Sequence, residues 1–304
     1  MRHDSAEIAG SRTRLDYTVD LHYDVFGDVD FVFSIHAAQT EQQRVLREAV
    51  VVEPAVAWRV EKEPTSGNRL LRLRSSAGAL DVHYAAGVEV VHHVAEPEHV
   101  VAGDIADLPA SVLRFMRPSR YCQSDHVQPL AWREFGGIAR GYAQVDAVCR
   151  HVRSRVEFRV GTSTPATSAV DTLARGCGVC RDFVHATIAL LRALNYPARF
   201  VTGVDYGAPR ELGPPDFHSY VEAWIGDRWW LFDPTGITPL TGLIRIGTGR
   251  DAADVAFATM FGDVRGGMPT VSFSAVEDAA AGLSAPQPTT LAISTAALYT
   301  PSNA

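Results

Sequence analysis

Residues 15–25 alternate without a break. Leu15, Tyr17, Val19, Leu21, Tyr23 and Val25 hold the odd positions, while Asp16, Thr18, Asp20, His22 and Asp24 hold the even ones. A side-chain period of two puts the two sets on opposite faces of an extended chain, so this segment predicts a strand with one face in a core and the other in water. Further apolar runs follow at 31–35, 50–52, 55–60, 70–73, 80–84 and 88–93, separated by turn-forming pairs such as Gly27-Asp28 and Ala77-Gly78. Short strands at regular spacing predict an antiparallel, β-sandwich-like domain over residues 1–100.

The pattern changes after Glu96-Pro97. Ile138, Tyr142, Val145, Cys149, Val152 and Val156 recur at intervals of four and three, the apolar stripe of an amphipathic helix with Cys149 as a small core residue. Two more helices are predicted at 167–175, stopped by Gly176, and at 180–194, ended by Asn195 and Pro197. Extended segments at 198–204, 218–225 and 228–232 follow, the last two joined at Gly226-Asp227. The Gly- and Pro-rich connection 205–215 is a candidate border of a cleft. Helices followed by an antiparallel sheet make an α+β core, placed at 101–282. Residues 283–304, rich in Ala, Ser, Thr and Pro, read as a low-complexity, loosely held tail.

Charge and hydropathy narrow the partners. With 35 acidic against 28 basic residues and a net charge of -7, the chain is a poor match to nucleic acid or an anionic membrane surface. No apolar run approaches the roughly 20 residues of a membrane helix, and residues 1–19 lack the apolar centre of a secretory signal. A cytoplasmic location is expected, where Cys122, Cys149, Cys177 and Cys180 stay reduced unless one is catalytic or metal-bound.

Cys180 follows Gly176-Cys-Gly-Val and opens a predicted helix. First-turn amides and the helix dipole favour a thiolate there, and Arg181 adds a positive charge nearby. A nucleophilic thiolate requires a base, and the hairpin supplies one. If Gly226-Asp227 is a two-residue turn, Ile225 pairs with Arg228, Trp224 with Trp229 and, further down, Tyr220 with Asp233. His218 then lies diagonally from Asp233 on one face, a backbone separation of roughly 7–8 Å that an imidazole and a carboxylate can bridge. Taken singly, each residue has an ordinary structural explanation: a buried thiol, an edge histidine, a turn-forming aspartate. Together they outline a Cys180–His218–Asp233 triad.

Cys177 and Cys180 also form a Cys-x-x-Cys pair, open to a redox or a metal reading. Zinc requires two further ligands, and no second pair stands at the usual spacing. His185, five residues beyond Cys180, is expected to be structural or to support the site from outside. No metal and no cofactor are expected, calcium included, since no EF-hand-like loop is present.

These residues resemble the bacterial transglutaminase-like proteins, also described as cysteine proteases. The resemblance rests on Gly-Val-Cys-Arg-Asp-Phe-Val-His at 178–185, Leu-Arg-Ala-Leu-Asn-Tyr-Pro-Ala-Arg at 191–199, Asp-Phe-His at 216–218 and Trp-Trp-Leu-Phe-Asp-Pro-Thr at 229–235. The stretch from Gly249 to Ala256, Pro-Ser-Arg-Tyr at 118–121 and the strand-rich first hundred residues are also similar. It implies a papain-like core with the triad on Cys180, His218 and Asp233. Members commonly carry Ala-Trp after the histidine, whereas this chain has Ser219-Tyr220, a difference expected to bear on substrate fit more than on the triad.

The expected activity is cysteine-dependent acyl transfer on a peptide or protein amide through a thioester, with water or an amine as acceptor. Two rivals remain: a non-catalytic peptide- or protein-binding scaffold on the same core, and a thiol-disulfide redox protein using Cys177 and Cys180. Cys177→Ser separates the redox rival, since it abolishes redox exchange and leaves acyl transfer largely intact.

Overall fold

The computed structural model describes residues 12–209 and 216–299. The alternating segment is a 14-residue strand, Arg12–Val25, whose odd positions from Leu15 are all buried. It pairs along its length with Gly78–Val91, which in turn pairs with Gln43–Glu53. The runs expected as two strands at 80–84 and 88–93 are therefore one strand to residue 91. Ala85-Ala86-Gly87 does not break the parity, and Leu80, Val82, Tyr84, Ala86, Val88 and Val90 are all buried. Gly87 passes so close to Asp16 that a Cβ would lie 2.7 Å from its carboxylate.

A second sheet orders Ala258–Phe261, Val29–Phe33, Arg69–Ser75 and Trp58–Lys62. Leu15, Tyr17 and Val19 from the first sheet share one core with Phe31, Phe33, Leu71 and Leu73 from the second, which makes the sandwich. Val204, Ile244 and Ile246 enter the same core, so the sandwich packs directly onto strands of the α+β core.

The boundaries expected at 100 and 282 require correction. Val264–Gly266 and Thr270–Ala275 pair with Arg12–Val25, and Ala258–Phe261 pairs with Val29–Phe33. The β domain thus takes strands from both sides of the helical region. The tail differs as well: Ala292–Ser294 is a strand between Arg228–Phe232 and His93–Ala95, with all three of its residues buried. Ser294 Oγ donates to the Trp229 carbonyl at 2.8 Å, and Arg245 Nη2 donates to Thr295 Oγ1 at 2.8 Å. Within this segment, 292–295 are buried while 287–290 and 297–299 are exposed.

The α+β core is a six-stranded sheet in the order Leu243–Gly249, Ala198–Asp205, His218–Ile225, Arg228–Phe232, Ala292–Ser294, His93–Ala95. Helices Gln128–Phe135, Tyr142–Arg155, Ala169–Arg175 and Cys180–Ala193 accompany it. The helix expected from 138 begins at Tyr142, because Gly141 sits at φ 147° with its Cα against the Val100 carbonyl. Ser168 and Asp171 cap the next helix reciprocally, and Gly176 at φ 67° ends it. Cys180–Ala193 is buried on every side from Asp182 onward rather than along one stripe, so it is the central helix of the core. Among the described residues, no helix is long and apolar enough to cross a membrane.

Candidate active site

Cys180 is the first residue of the central helix. Asp182 closes that N-terminus by accepting the Val179 N–H at 3.0 Å. Gly178 makes this fit possible, since a Cβ there would stand 2.6 Å from Asp182 Cβ. Arg181 does not turn toward the thiol as the sequence suggested: its guanidinium donates to Ser163 Oγ at 2.7 Å and to the Thr164 carbonyl at 2.6 Å.

The other thiols separate by burial. Cys122 and Cys149 are buried, and burial pushes the Cys122 thiol up to about 12 and the Cys149 thiol higher still. Cys177 and Cys180 are partly exposed. Cys177 belongs to the two-residue strand Cys177–Gly178, paired with Glu157–Phe158. All four are free.

His218 opens the strand His218–Ile225 and is 8% exposed. The hairpin register matches the geometry of a two-residue turn: Ile225 faces Arg228, Trp224 faces Trp229 and Val221 faces Phe232. Asp233 lies one step beyond that ladder, and its Oδ1 is 3.5 Å from His218 Nε2. The carboxylate is held from its other side, where Oδ1 accepts from Thr235 N at 2.9 Å and Thr235 Oγ1 at 2.6 Å, and Oδ2 accepts from Ile237 N at 3.1 Å. The Cys180 thiol is near enough to the same imidazole to raise its proton affinity, and its Sγ stands 4.0 Å from the hydroxyl of the next residue, Ser219. The structure thus brings Cys180, His218 and Asp233 into one cluster.

Electrostatics follow from burial and charge together. Burial alone would strip the proton from His218, but Asp233 and then Asp205 outweigh it and hold the imidazole well above its ordinary 6.5. Burial pushes Asp233 up, and the charge of His218 3.5 Å away, with the bonds from Thr235, reverses this and leaves it below the usual carboxylate range. Each partner therefore favours the charged form of the other.

Sequence reasoning missed Asp205. It ends the strand Ala198–Asp205, on the side of His218 away from the hairpin, with Oδ2 3.8 Å from His218 Nδ1. The signal was one register away: Gly203 pairs with His218, so Asp205 is its diagonal neighbour on the same face. Tyr220 donates its hydroxyl to Asp205 Oδ2 at 3.0 Å. The departures at Ser219 and Tyr220 thus touch the surroundings of Cys180 and His218, one beside the thiol and one through Asp205. Of the connection expected to border the cleft, residues 210–215 lie outside the described residues.

His185 is buried, accepts the Ala252 N–H on Nε2 at 3.1 Å and stacks on Tyr121 at 4.9 Å. Burial, then Arg181 and Arg192, push its proton affinity well down, so it is a neutral packing residue of the core. Among the described residues, no group of three or more His, Cys, Asp or Glu side chains is placed to hold a metal ion.

Comparison with known proteins agrees with this architecture. Residues 131–234 match the Transglutaminase-like superfamily, and residues 14–111 match the Bacterial transglutaminase, N-terminal domain. A solved structure from Cytophaga hutchinsonii, provisionally named a cysteine protease, is 35% identical with a TM-score of 0.87, over 93% of this chain and 98% of that one. The chain belongs to the transglutaminase-like superfamily. Its core is the papain-like core of that superfamily, preceded by a β domain. An uncharacterized protein of Mycobacterium leprae is 37% identical over 119 residues, 37% of this chain and 42% of that protein. One of Mycobacterium tuberculosis is 31% identical over 123 residues, 36% of this chain and 39% of that protein. The transglutaminase-like chain spans about two fifths of the length of these curated relatives.

Proposed function

We propose that this transglutaminase-like protein is an enzyme that transfers an acyl group from a peptide or protein amide, using Cys180 as nucleophile, His218 as acid and base, and Asp233 to orient and charge-balance the histidine. The observation that carries this reading is the buried imidazole 3.5 Å from a carboxylate fixed by three donors, with a partly exposed thiol at a helix start 4.0 Å from the hydroxyl of the neighbouring Ser219.

The Cys180 thiolate adds to the amide carbonyl carbon, and the carbonyl oxygen takes the negative charge. The Cys180 N–H, one of the first-turn amides without a carbonyl one turn back, supports that oxyanion. His218 gives its proton to the leaving amine as the C–N bond breaks, leaving a thioester and a neutral imidazole. The imidazole then takes a proton from water or an amine as its oxygen or nitrogen bonds to the thioester carbon. The thiolate departs, and the imidazolium is restored. Water gives an acid product; an amine gives a new amide.

The test is competitive labelling of wild type, Cys180→Ala and His218→Ala with limiting iodoacetamide across about pH 5 to 9, where imidazole and thiol titrate, read by peptide mass spectrometry. Cys180 should label well ahead of the other cysteines below neutrality and slow by ten-fold or more without His218. Labelling with an ordinary thiol profile and no dependence on His218 would remove the nucleophile and favour the scaffold reading.

A further inference from the structure

We infer that Asp205 is a positioning residue, a second carboxylate that brackets the His218 ring opposite Asp233 and so holds it in place and protonated between turnovers. This rests on the Cys180–His218–Asp233 reading and adds to it. His218 is flanked symmetrically. On the hairpin side the register places Asp233 diagonally from it, 3.5 Å from Nε2; on the other side Gly203 faces it and Asp205 is the diagonal residue, 3.8 Å from Nδ1. Each ring nitrogen therefore has a carboxylate oxygen within 4 Å.

Asp205 is itself fixed. It is 4% exposed, and the Tyr220 hydroxyl, bonded to Oδ2 at 3.0 Å, is also 3.0 Å from Thr238 Oγ1. The Tyr220 ring meets the His218 ring edge-on at 4.7 Å. Gly203 lets this strand close on its other neighbour, because a Cβ there would stand 2.4 Å from the Ile244 carbonyl oxygen. Among the described residues, the titratable groups facing His218 are Cys180 from the central helix, Asp233 after the hairpin, Asp205 from the neighbouring strand, Asp216 from its own lead-in and Tyr220 from its own strand. Burial raises the Asp216 carboxyl and Asp205 adds to that, while the Phe217 N–H and His218 pull it back.

Chemically, an imidazolium with one carboxylate partner can lose its other proton to solvent or to the thiolate as pH rises. A carboxylate at the second nitrogen opposes that loss. The ring then stays a proton donor for the leaving amine, at higher pH than Asp233 alone allows.

The test uses iodoacetate on the full chain across about pH 5 to 10, a range that covers the imidazole titration. Its negative charge makes alkylation of Cys180 depend on the imidazolium, so the rate rises with the thiolate and falls as His218 loses its proton. Asp205→Asn keeps an acceptor for Tyr220 and removes the charge. The alkaline limb should move down by about one pH unit or more, with the rate at the maximum within a few-fold of wild type. A limb left unmoved in a folded Asp205→Asn protein overturns the inference and makes Asp205 merely a partner of Tyr220. A wild type with no falling limb, and no dependence on His218, overturns the triad reading itself and this inference with it. Should Asp205→Asn not fold, wild type labelled with ¹⁵N-histidine and capped at Cys180 supplies the second measurement. Asp205 is then the acceptor left for Nδ1, and a protected, hydrogen-bonded Nδ1–H resonance is expected. An Nδ1 proton that exchanges freely with solvent overturns the inference.

Discussion

Asp233 shows how much a single residue was legible before the fold was known. A two-residue turn fixes the register on both sides of Gly226-Asp227, and that register carries Asp233 to His218. Asp205 was not legible in the same way, because a long Gly- and Pro-rich connection separates its strand from His218, and such a connection leaves register undetermined. The role proposed for Asp233 depends on charge more than on shape. Asp233→Asn keeps an oxygen to accept from Thr235 but cannot balance an imidazolium, so release of nitrophenol from p-nitrophenyl acetate should fall by about 10²–10⁴-fold. Activity within a few-fold of wild type would reduce Asp233 to a turn residue.

Elements divide into those written locally and those decided by neighbours. The capped helix Ala169–Arg175 and the hairpin carry their own start and stop signals, and both form where the sequence placed them. Ala292–Ser294 carries none: three small or aliphatic residues become a strand only because the open edge of Arg228–Phe232 is there to pair with. Its contribution can be measured. Ending the chain after Thr290 removes the fully buried Ile293 and the Thr295 partner of the buried Arg245. The loss should be at least about 3 kcal/mol, from apolar burial and an orphaned charged donor together, read as a lower urea midpoint. An unchanged midpoint would mean that the strand is not part of the stable fold.

At the scale of the whole molecule, the sandwich cannot be completed until the chain has passed through the core and returned, since the partners of Arg12–Val25 include Thr270–Ala275. The sandwich interior also holds a pH-sensitive group. His36 is 1% exposed against the Tyr84 ring at 4.4 Å; burial, then Arg69, push its imidazole down to about 4 from 6.5. A depressed value means that the unfolded chain binds the proton first, so this stabilisation is complete above about 6.5 and is lost as pH falls toward about 4. The contribution is roughly 3 kcal/mol at most. Thermal midpoints should fall over that window in wild type and fall less in His36→Gln; equal slopes would remove His36 as the cause.

The sequence by itself determined whatever depends on neighbours a few residues apart: the alternating strands, the helix caps, the hairpin and, through its register, the His218–Asp233 pair. Cys180 at a helix start belongs to the same class. Tertiary structure decided the rest: the joining of 80–84 and 88–91 into one strand, the return of 258–275 to the β domain, the burial of 292–295 and the placement of Asp205. Each of these requires two distant segments to close a long loop and bury a common surface, and the free energy of that closure resides in the assembled core rather than in any local run of residues.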